Sequence, residues 1–294
     1  MRVVSSMRAW LRGVVSPVRI AARVVRSAVV FVIASHAILV FLVLAFSLAL
    51  LHWNPSVTAL MIYRGVTVHQ KPRPLRFVPL RQVPRVARSM VIRLEDYRFY
   101  RHRGVDLGAI RDAWMINSSI GRTAVGGSTI PMQLARNLFL TPRKTYLRKY
   151  MEGVIALEMS LILPKDRILE LYLNCIEWGK GIFGIGTASV YYYKTDVAGL
   201  GLDELRRLVT IITNPLRYDV VTFQKSAQMS QRYAYLLSRF PDPTSEPTDK
   251  GGPVAQIPDA PVIDTPLPHA LLPAAPLPRP TASLHLPLKP ELSR

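Results

Sequence analysis

Apolar and polar residues recur along this chain mostly with a helical period. Between Pro84 and Phe99 the positions Val86, Met90, Val91, Leu94 and Tyr97 fall three and four apart. Between Lys144 and Leu163 the series Leu147, Met151, Val154, Ile155, Leu157 and Leu161 does the same, and it stops before Pro164. Such spacing predicts amphipathic helices, ended by proline. Two more are predicted over Lys165–Asn174, from Ile168, Leu169, Tyr172 and Leu173, and over Leu202–Thr213, before Asn214-Pro215. Strand-like alternation is weak and confined to residues near 57–68, and no repeat of solenoid period occurs. The expected fold class is mainly α.

One apolar run has no helical face at all. From Ala28 to Leu51 only Ser35, His36 and Ser47 interrupt it. A helix of that length crosses the roughly 30 Å hydrocarbon core of a bilayer. It is longer than the apolar core of a cleaved signal peptide, which holds about 7–15 residues. An uncleaved signal anchor is expected. Arg2, Arg8, Arg12, Arg19, Arg23 and Arg26, with no acid before residue 54, place the N-terminal side in the cytoplasm by the positive-inside rule. Residues 54–294 then lie across the membrane.

The net charge of +19 over 294 residues divides unevenly. Residues 241–294 hold six acids against four bases, and 14 of the chain's 24 prolines. That composition predicts a disordered, extended tail to which no function is assigned. Residues 54–240 carry 28 bases and 13 acids, so an anionic partner is expected. The expected organisation is 1–27 cytoplasmic, 28–51 membrane span, 54–240 folded domain and 241–294 tail. A single cysteine, Cys175, excludes an internal disulfide and a cysteine-rich zinc module. The six histidines are scattered, and no metal-ligand cluster stands out.

Candidate chemistry lies in a few islands. Glu95 and Asp96 precede Phe99, His102, Gly104 and Asp106. If a helix runs through Glu95, its carboxylate and Phe99 share a face, and an apolar neighbour raises a carboxylate's pKa toward that of a general base. The alternative is an acid solvated among Arg93, Arg98, Arg101 and Arg103. Gly126-Gly127-Ser128-Thr129 leads into a helix carrying Gln133, Arg136 and Asn137, whose first amides are a candidate anion receptor. An ordinary capped junction is the alternative. Arg143-Lys144, Arg148-Lys149 and Glu152 share a helix, where Arg148 and Glu152 are spaced for a surface pair. Gly179-Lys-Gly181-Ile-Phe-Gly184 spells GxGxxG, but it follows a helix rather than a strand, so a hinge or cleft lining is expected in place of a dinucleotide site.

Taken in order, ED-x-x-F-x-x-H-x-G, GGSTI-x-x-QLA-x-N, RK-x-x-E and K-x-x-ILE-x-YLN resemble the family 51 peptidoglycan glycosyltransferases over residues 54–222. Without SxxK or KTG motifs the chain resembles the monofunctional, membrane-anchored branch. The resemblance implies a lysozyme-like helical domain in the bacterial inner membrane, its catalytic part periplasmic. It implies polymerisation of lipid II, with lipid II and the lipid-linked glycan chain as partners and other cell-wall synthases beside them in the cell. Glu95 falls on the general base and Glu152 on an acid beside the donor. Arg136, Arg143, Arg148 and Lys149 fall near the leaving pyrophosphate, where a divalent cation such as Mg or Mn is a candidate cofactor. Ser128, Thr129 and Gln133 are implied to line the donor side, and Asn174 and Gly184 to shape the cleft. Asp96, Phe99, His102 and Asn137 complete the implied substrate-binding set. The chain departs from the family pattern at Pro131-Met132, at Arg136 in place of lysine, and at Tyr193 in place of phenylalanine.

Three other readings compete. Paired carboxylates also cleave glycosides, which gives a lysozyme-like hydrolase. Pro131-Met132 leaves room for an inactive scaffold of the cell-wall machinery. Charge alone motivates nucleic-acid binding, but no recognition module is present, and no nucleic acid is expected as a partner.

Overall fold

The computed structural model describes residues 2–67, 69, 71–122 and 125–243, with side chains from Arg19 onward. The proline-rich tail from residue 244, and the side chains of Arg2, Arg8 and Arg12, lie outside the described residues.

The fold is mainly α, as the periodicity predicts. In chain order the helices are α1 (Arg2–Leu50), α2 (Ala59–Thr67), α3 (Arg85–Glu95), α4 (Leu107–Ser119), α5 (Ile130–Phe139), α6 (Tyr146–Ile162) and α7 (Lys165–Cys175). A hairpin of β1 (Glu177–Gly179) and β2 (Ile182–Phe183) follows, then α8 (Ile185–Tyr193), α9 (Leu202–Ile211) and α10 (Ala227–Arg239). Local chemistry sets the boundaries. Thr145 caps α6 by accepting from the Arg148 amide at 3.1 Å, and Asp106 caps α4 through the Ala109 amide at 2.9 Å. Pro164 ends one helix and opens the next.

Two expectations are corrected here. Residues near 57–68 form α2 rather than a strand, because Thr58 caps the helix through the Met61 amide. The GxGxxG segment is a hairpin rather than a hinge, and it follows α7, in keeping with the rejection of a dinucleotide loop. Gly181 takes φ +69° at its turn and Gly184 takes φ +79° before α8. A Cβ on Gly184 would lie 2.8 Å from the Asn174 carbonyl oxygen, so the glycine permits close packing on α7.

α5 is the central helix, with seven of its ten residues buried. Ile130, Leu134 and Leu138 enter a core with Met90 and Val91 of α3, Ile155 and Met159 of α6, and Leu169 and Tyr172 of α7. Trimming one such leucine to alanine costs about 2–5 kcal/mol. Trp178 on β1 is fully buried and donates to the Leu173 carbonyl at 3.2 Å.

The segment Arg19–Leu50 of α1 is long and apolar enough to cross a membrane, and only 6% of its most apolar stretch is covered by the rest of the chain. At 1.5 Å per residue it spans roughly 48 Å. Its C-terminal part packs on the domain. Val43, Ser47 and Leu50 are buried, Phe46 meets Phe139 edge-on at 5.0 Å, and Arg167 donates to the Leu50 carbonyl at 2.8 Å. Further back, the Tyr150 hydroxyl of α6 lies 3.4 Å from His36 Nε2. α1 is therefore joined to the helix that carries Arg148, Lys149 and Glu152.

Candidate active site

Two groups of polar side chains flank α5. The first surrounds Glu95, the last residue of α3. Arg232 of α10 donates to Glu95 Oε1 at 2.6 Å, and Gln133 of α5 donates its Nε2 to Oε2 at 3.1 Å. Tyr172 of α7 donates to Gln133 Oε1 at 3.0 Å. An ionised carboxylate only accepts, so the Gln133 amide presents nitrogen to Glu95 and oxygen to Tyr172. The side chains of Glu95 and Arg232 are about nine-tenths buried. Burial pushes the Tyr172 hydroxyl well above its ordinary pKa, with the negative Glu95 adding to the effect.

Four helices thus converge on one carboxylate, and their mutual packing fixes it. Arg93 of α3 donates to the Tyr235 hydroxyl of α10 at 2.7 Å. Buried Arg206 of α9 donates to the Phe240 carbonyl and Asp242, each at 2.7 Å, holding the end of α10 on α9.

The predicted helical face shared by Glu95 and Phe99 is not formed. α3 ends at Glu95 because Asp96 leaves helical geometry, at φ −164°. Phe99 instead lies fully in the core, with the Lys165 ammonium 4.7 Å from its ring centre. Glu95 is neither solvated nor set against an apolar ring; charged and amide donors hold it.

Asp96 is a brace. Both its oxygens lie 2.9 Å from His102 Nε2, and Oδ2 also accepts from the Ile130 amide at 2.9 Å. Thr129 caps α5 through the Met132 amide and donates to the Gly104 carbonyl at 2.5 Å. A Cβ on Gly104 would lie 2.4 Å from the Ala156 carbonyl oxygen, so only glycine lets this loop reach α6. These bonds make the start of α5 the ordinary capped junction and not the candidate anion receptor. The Ile130 amide is taken by Asp96, Pro131 has no N–H, and the Met132 amide is taken by Thr129. Asn137, also buried, donates to the Gln133 carbonyl at 2.7 Å.

The second group lies on the first half of α6. Glu152 is 1% exposed. It accepts a close contact from Arg148, and Lys149 Nζ lies 3.1 Å from its Oε2 and 2.5 Å from Ser128 Oγ. Arg148 also donates to the Arg143 carbonyl, while the Arg143 side chain is exposed. The surface-pair reading of Arg148 and Glu152 is therefore corrected: the acid is buried, with two cations on it. Burial pushes Lys149 down to about 8, helped by the positive Arg136 and Arg148. Burial also lowers Arg136, while Tyr172 and Glu95 act to raise it. Arg136 is thus within electrostatic reach of both groups. Among the described residues no group of three His, Cys, Asp or Glu side chains able to hold a metal ion comes together.

Two expected cleft residues are structural. Asn174 is fully buried, accepts from the Val78 amide at 2.8 Å, and donates to the Val78 and Glu170 carbonyls at 2.9 and 2.8 Å. Gly184 packs against it. Conversely, Arg232 was not legible as a site residue. It lies 137 residues from Glu95, outside every motif. Tyr172 reads in sequence as an apolar helical position within the ILE-x-YLN motif, with no role of its own.

A buried carboxylate held by two side chains, Arg232 and Gln133, beside a cationic cluster is the equipment of an enzyme that moves a proton and steadies a departing anion. The chain belongs to the transglycosylase family, whose model matches residues 64–240, and it is a glycosyltransferase. It is 39% identical over 215 residues to the biosynthetic peptidoglycan transglycosylase of Dechloromonas aromatica, covering 69% of this chain and 92% of that protein. The protein of the same name from Nitrosomonas eutropha is 40% identical over 203 residues, 67% of this chain and 82% of its own. That from Bordetella pertussis is 42% identical over 168 residues, 56% and 69% respectively.

Proposed function

We propose that this protein polymerises peptidoglycan glycan strands at the bacterial inner membrane, passing the lipid-linked growing chain onto lipid II. The observation that carries the reading is the pairing of one tethered carboxylate, Glu95, with three cations, Arg136, Arg148 and Lys149, in a transglycosylase-family domain joined to a membrane-length helix. Glu95 takes the proton of the acceptor sugar's 4-hydroxyl. The freed oxygen attacks the donor's anomeric carbon from the face opposite the pyrophosphate, so the C–O bond to the carrier breaks with inversion. Arg136, Arg148 and Lys149 meet the charge that develops on the leaving pyrophosphate. Glu152 holds Arg148 and Lys149 in place through its two oxygens. In this reading the cations supply the electrostatic stabilisation, and a divalent ion would be carried by the pyrophosphate rather than by protein ligands. α1 spans the membrane once, with its arginines cytoplasmic and the domain periplasmic.

The test is polymerisation of purified lipid II by the full chain in detergent. Wild type forms glycan polymer, and Glu95→Gln loses about 10²–10⁴-fold in kcat, as loss of a general base requires. No polymer from wild type, or undiminished polymer from Glu95→Gln, overturns the reading. Release of soluble fragments from cell wall would favour hydrolysis.

A further inference from the structure

The mechanism leaves unused one face of the domain, where three segments meet. The extended segment ahead of α3 pairs with the turn between β1 and β2, the Arg73 amide donating to the Gly181 carbonyl at 2.9 Å. It carries the Arg73 guanidinium to 4.4 Å from the ring centre of Tyr191, near the end of α8. Lys194, the residue after that helix, holds its ammonium 5.7 Å from the same ring and donates to the Tyr191 carbonyl at 2.9 Å. Tyr191 stays 38% exposed between them. Lys180, in the hairpin turn next to the backbone of Arg73, is exposed as well. Among the described residues no carboxylate pairs with Arg73, Lys180 or Lys194. An exposed tyrosine ring with unneutralised cations on it suits an extended peptide that carries both prolines and acids. Prolines dock on aromatic rings, and charges beside the ring fix the register.

The chain contains such a peptide. Residues 241–264 hold five acids and one base, and acids alternate with prolines in Pro258-Asp259-Ala260-Pro261 and again in Asp264-Thr265-Pro266. Past residue 264 the balance reverses, to one acid against three bases. The tail also leaves the domain near this face. Asp242 is bound by Arg206 of α9, and α9 adjoins the end of α8, where the Tyr193 hydroxyl donates to the Glu204 carbonyl at 3.5 Å. From Pro243 to Pro258 the chain can extend roughly 45 Å, enough to reach Tyr191. We propose that residues 258–265 dock on Tyr191, with Asp259 and Asp264 facing Arg73, Lys180 and Lys194. Because the segment is covalently joined, it meets the face at a millimolar effective concentration, and a contact too weak to hold a free peptide suffices. None of these residues belongs to the groups around Glu95 and Glu152, so the docking stands apart from the polymerase reading.

The test uses the full chain in detergent with a photoactivatable benzophenone side chain in place of Ala260. Irradiation should label peptides containing Arg73 or Tyr191, identified by mass spectrometry. Asp259→Lys with Asp264→Lys should lower the yield about fivefold or more, and so should Arg73→Glu with Lys194→Glu, because like charges then face each other. Combining both pairs restores opposite charges and should return the yield to within about twofold of wild type. That rescue separates docking from damage to the fold. Raising the salt from about 0.05 M to about 0.5 M should weaken the wild-type labelling. Label scattered over the domain, labelling indifferent to either charge reversal, or label found on phospholipid would overturn the proposal. In a mixture of isotope-labelled and unlabelled chains, cross-links that join the two kinds would also overturn it, and would assign the face to the tail of a second copy.

Discussion

Lys149 is the described group whose titration bears most directly on the proposed chemistry. Burial and the nearby Arg136 and Arg148 push it down to about 8 from an ordinary 10.5. It is the sole lysine among the three cations assigned to the pyrophosphate, and arginine keeps its charge throughout the accessible range. Roughly ten lysines in eleven are charged at pH 7 and about one in thirty at pH 9.5, a fall of roughly thirtyfold. The kcat/KM of lipid II polymerisation, which reports groups of the free enzyme, should fall by a similar factor over that interval. Bound pyrophosphate favours the charged lysine, so the limb in kcat should lie at higher pH. Lys149→Arg should abolish the limb whatever its absolute rate. Cys175 and Tyr100, both pushed up to about 12, stay outside this window. The effect on stability has the opposite sign. Between about pH 8 and 10.5 the unfolded chain holds its proton on this lysine and the folded chain does not, so this group's contribution to stability rises with pH. Activity lost while the thermal midpoint holds or rises would therefore mark a titration rather than unfolding. A wild-type kcat/KM that stays flat to pH 9.5, or an unchanged limb in Lys149→Arg, would refute the assignment.

Other variants separate chemistry from scaffold. Arg232→Met removes a charged hydrogen bond from Glu95, worth about 1.5–3 kcal/mol, and should lower kcat tenfold or more with KM unchanged; a wild-type kcat would show that Glu95 needs no such partner. Tyr172→Phe frees the Gln133 amide by deleting one hydrogen bond of about 0.5–1.5 kcal/mol, so a three- to tenfold fall in kcat is expected in steady-state assays. Asn174→Ala strands the Val78 amide and carbonyl and should cost about 2–4 kcal/mol, read as a lowered thermal or denaturant midpoint, with turnover retained in the cold. An unchanged midpoint with lost turnover would return Asn174 to the cleft.

The helices with strong apolar periodicity were legible in the chain: α7 and α9 each bury one face against the core, whereas in α6 Leu147, Leu157 and Leu161 of the predicting series are exposed and Ile155 and Met159 face the core. Their ends were legible where proline or threonine sets them. α2 and the hairpin were not. α2 has nine residues, too few to establish a period, and the hairpin's two short strands are buried throughout, so neither alternates. Glu95 and Glu152 stood out by motif, but their surroundings did not. What surrounds Glu95 comes from α5, α7 and α10, and Arg232 belongs to a helix that no motif marked. Asp96 shares a motif with Glu95, and Asn174 ends the ILE-x-YLN motif, yet Asp96 braces α5 and Asn174 binds Val78. Motif spacing identifies residues the fold depends on, whether they meet substrate or hold the scaffold, and only the geometry separates the two.

The start of α5 shows why this separation changes the mechanism. From sequence, a glycine-rich loop opening a helix is a candidate phosphate receptor built of backbone amides. Here Asp96, Pro131 and Thr129 between them leave the amides of Ile130 and Met132 occupied and the intervening donor missing. In the proposed mechanism anion binding passes to side chains, and those in reach are Arg136 on α5 and Arg148 and Lys149 on α6. Side-chain cations differ from amides in two respects. They repel one another when no anion is bound, which adds to the burial that lowers Lys149, and they require a counter-charge, which Glu152 provides. In the proposed mechanism the buried acid on α6 serves as counter-charge to Arg148 and Lys149, and no direct part in bond making is assigned to it.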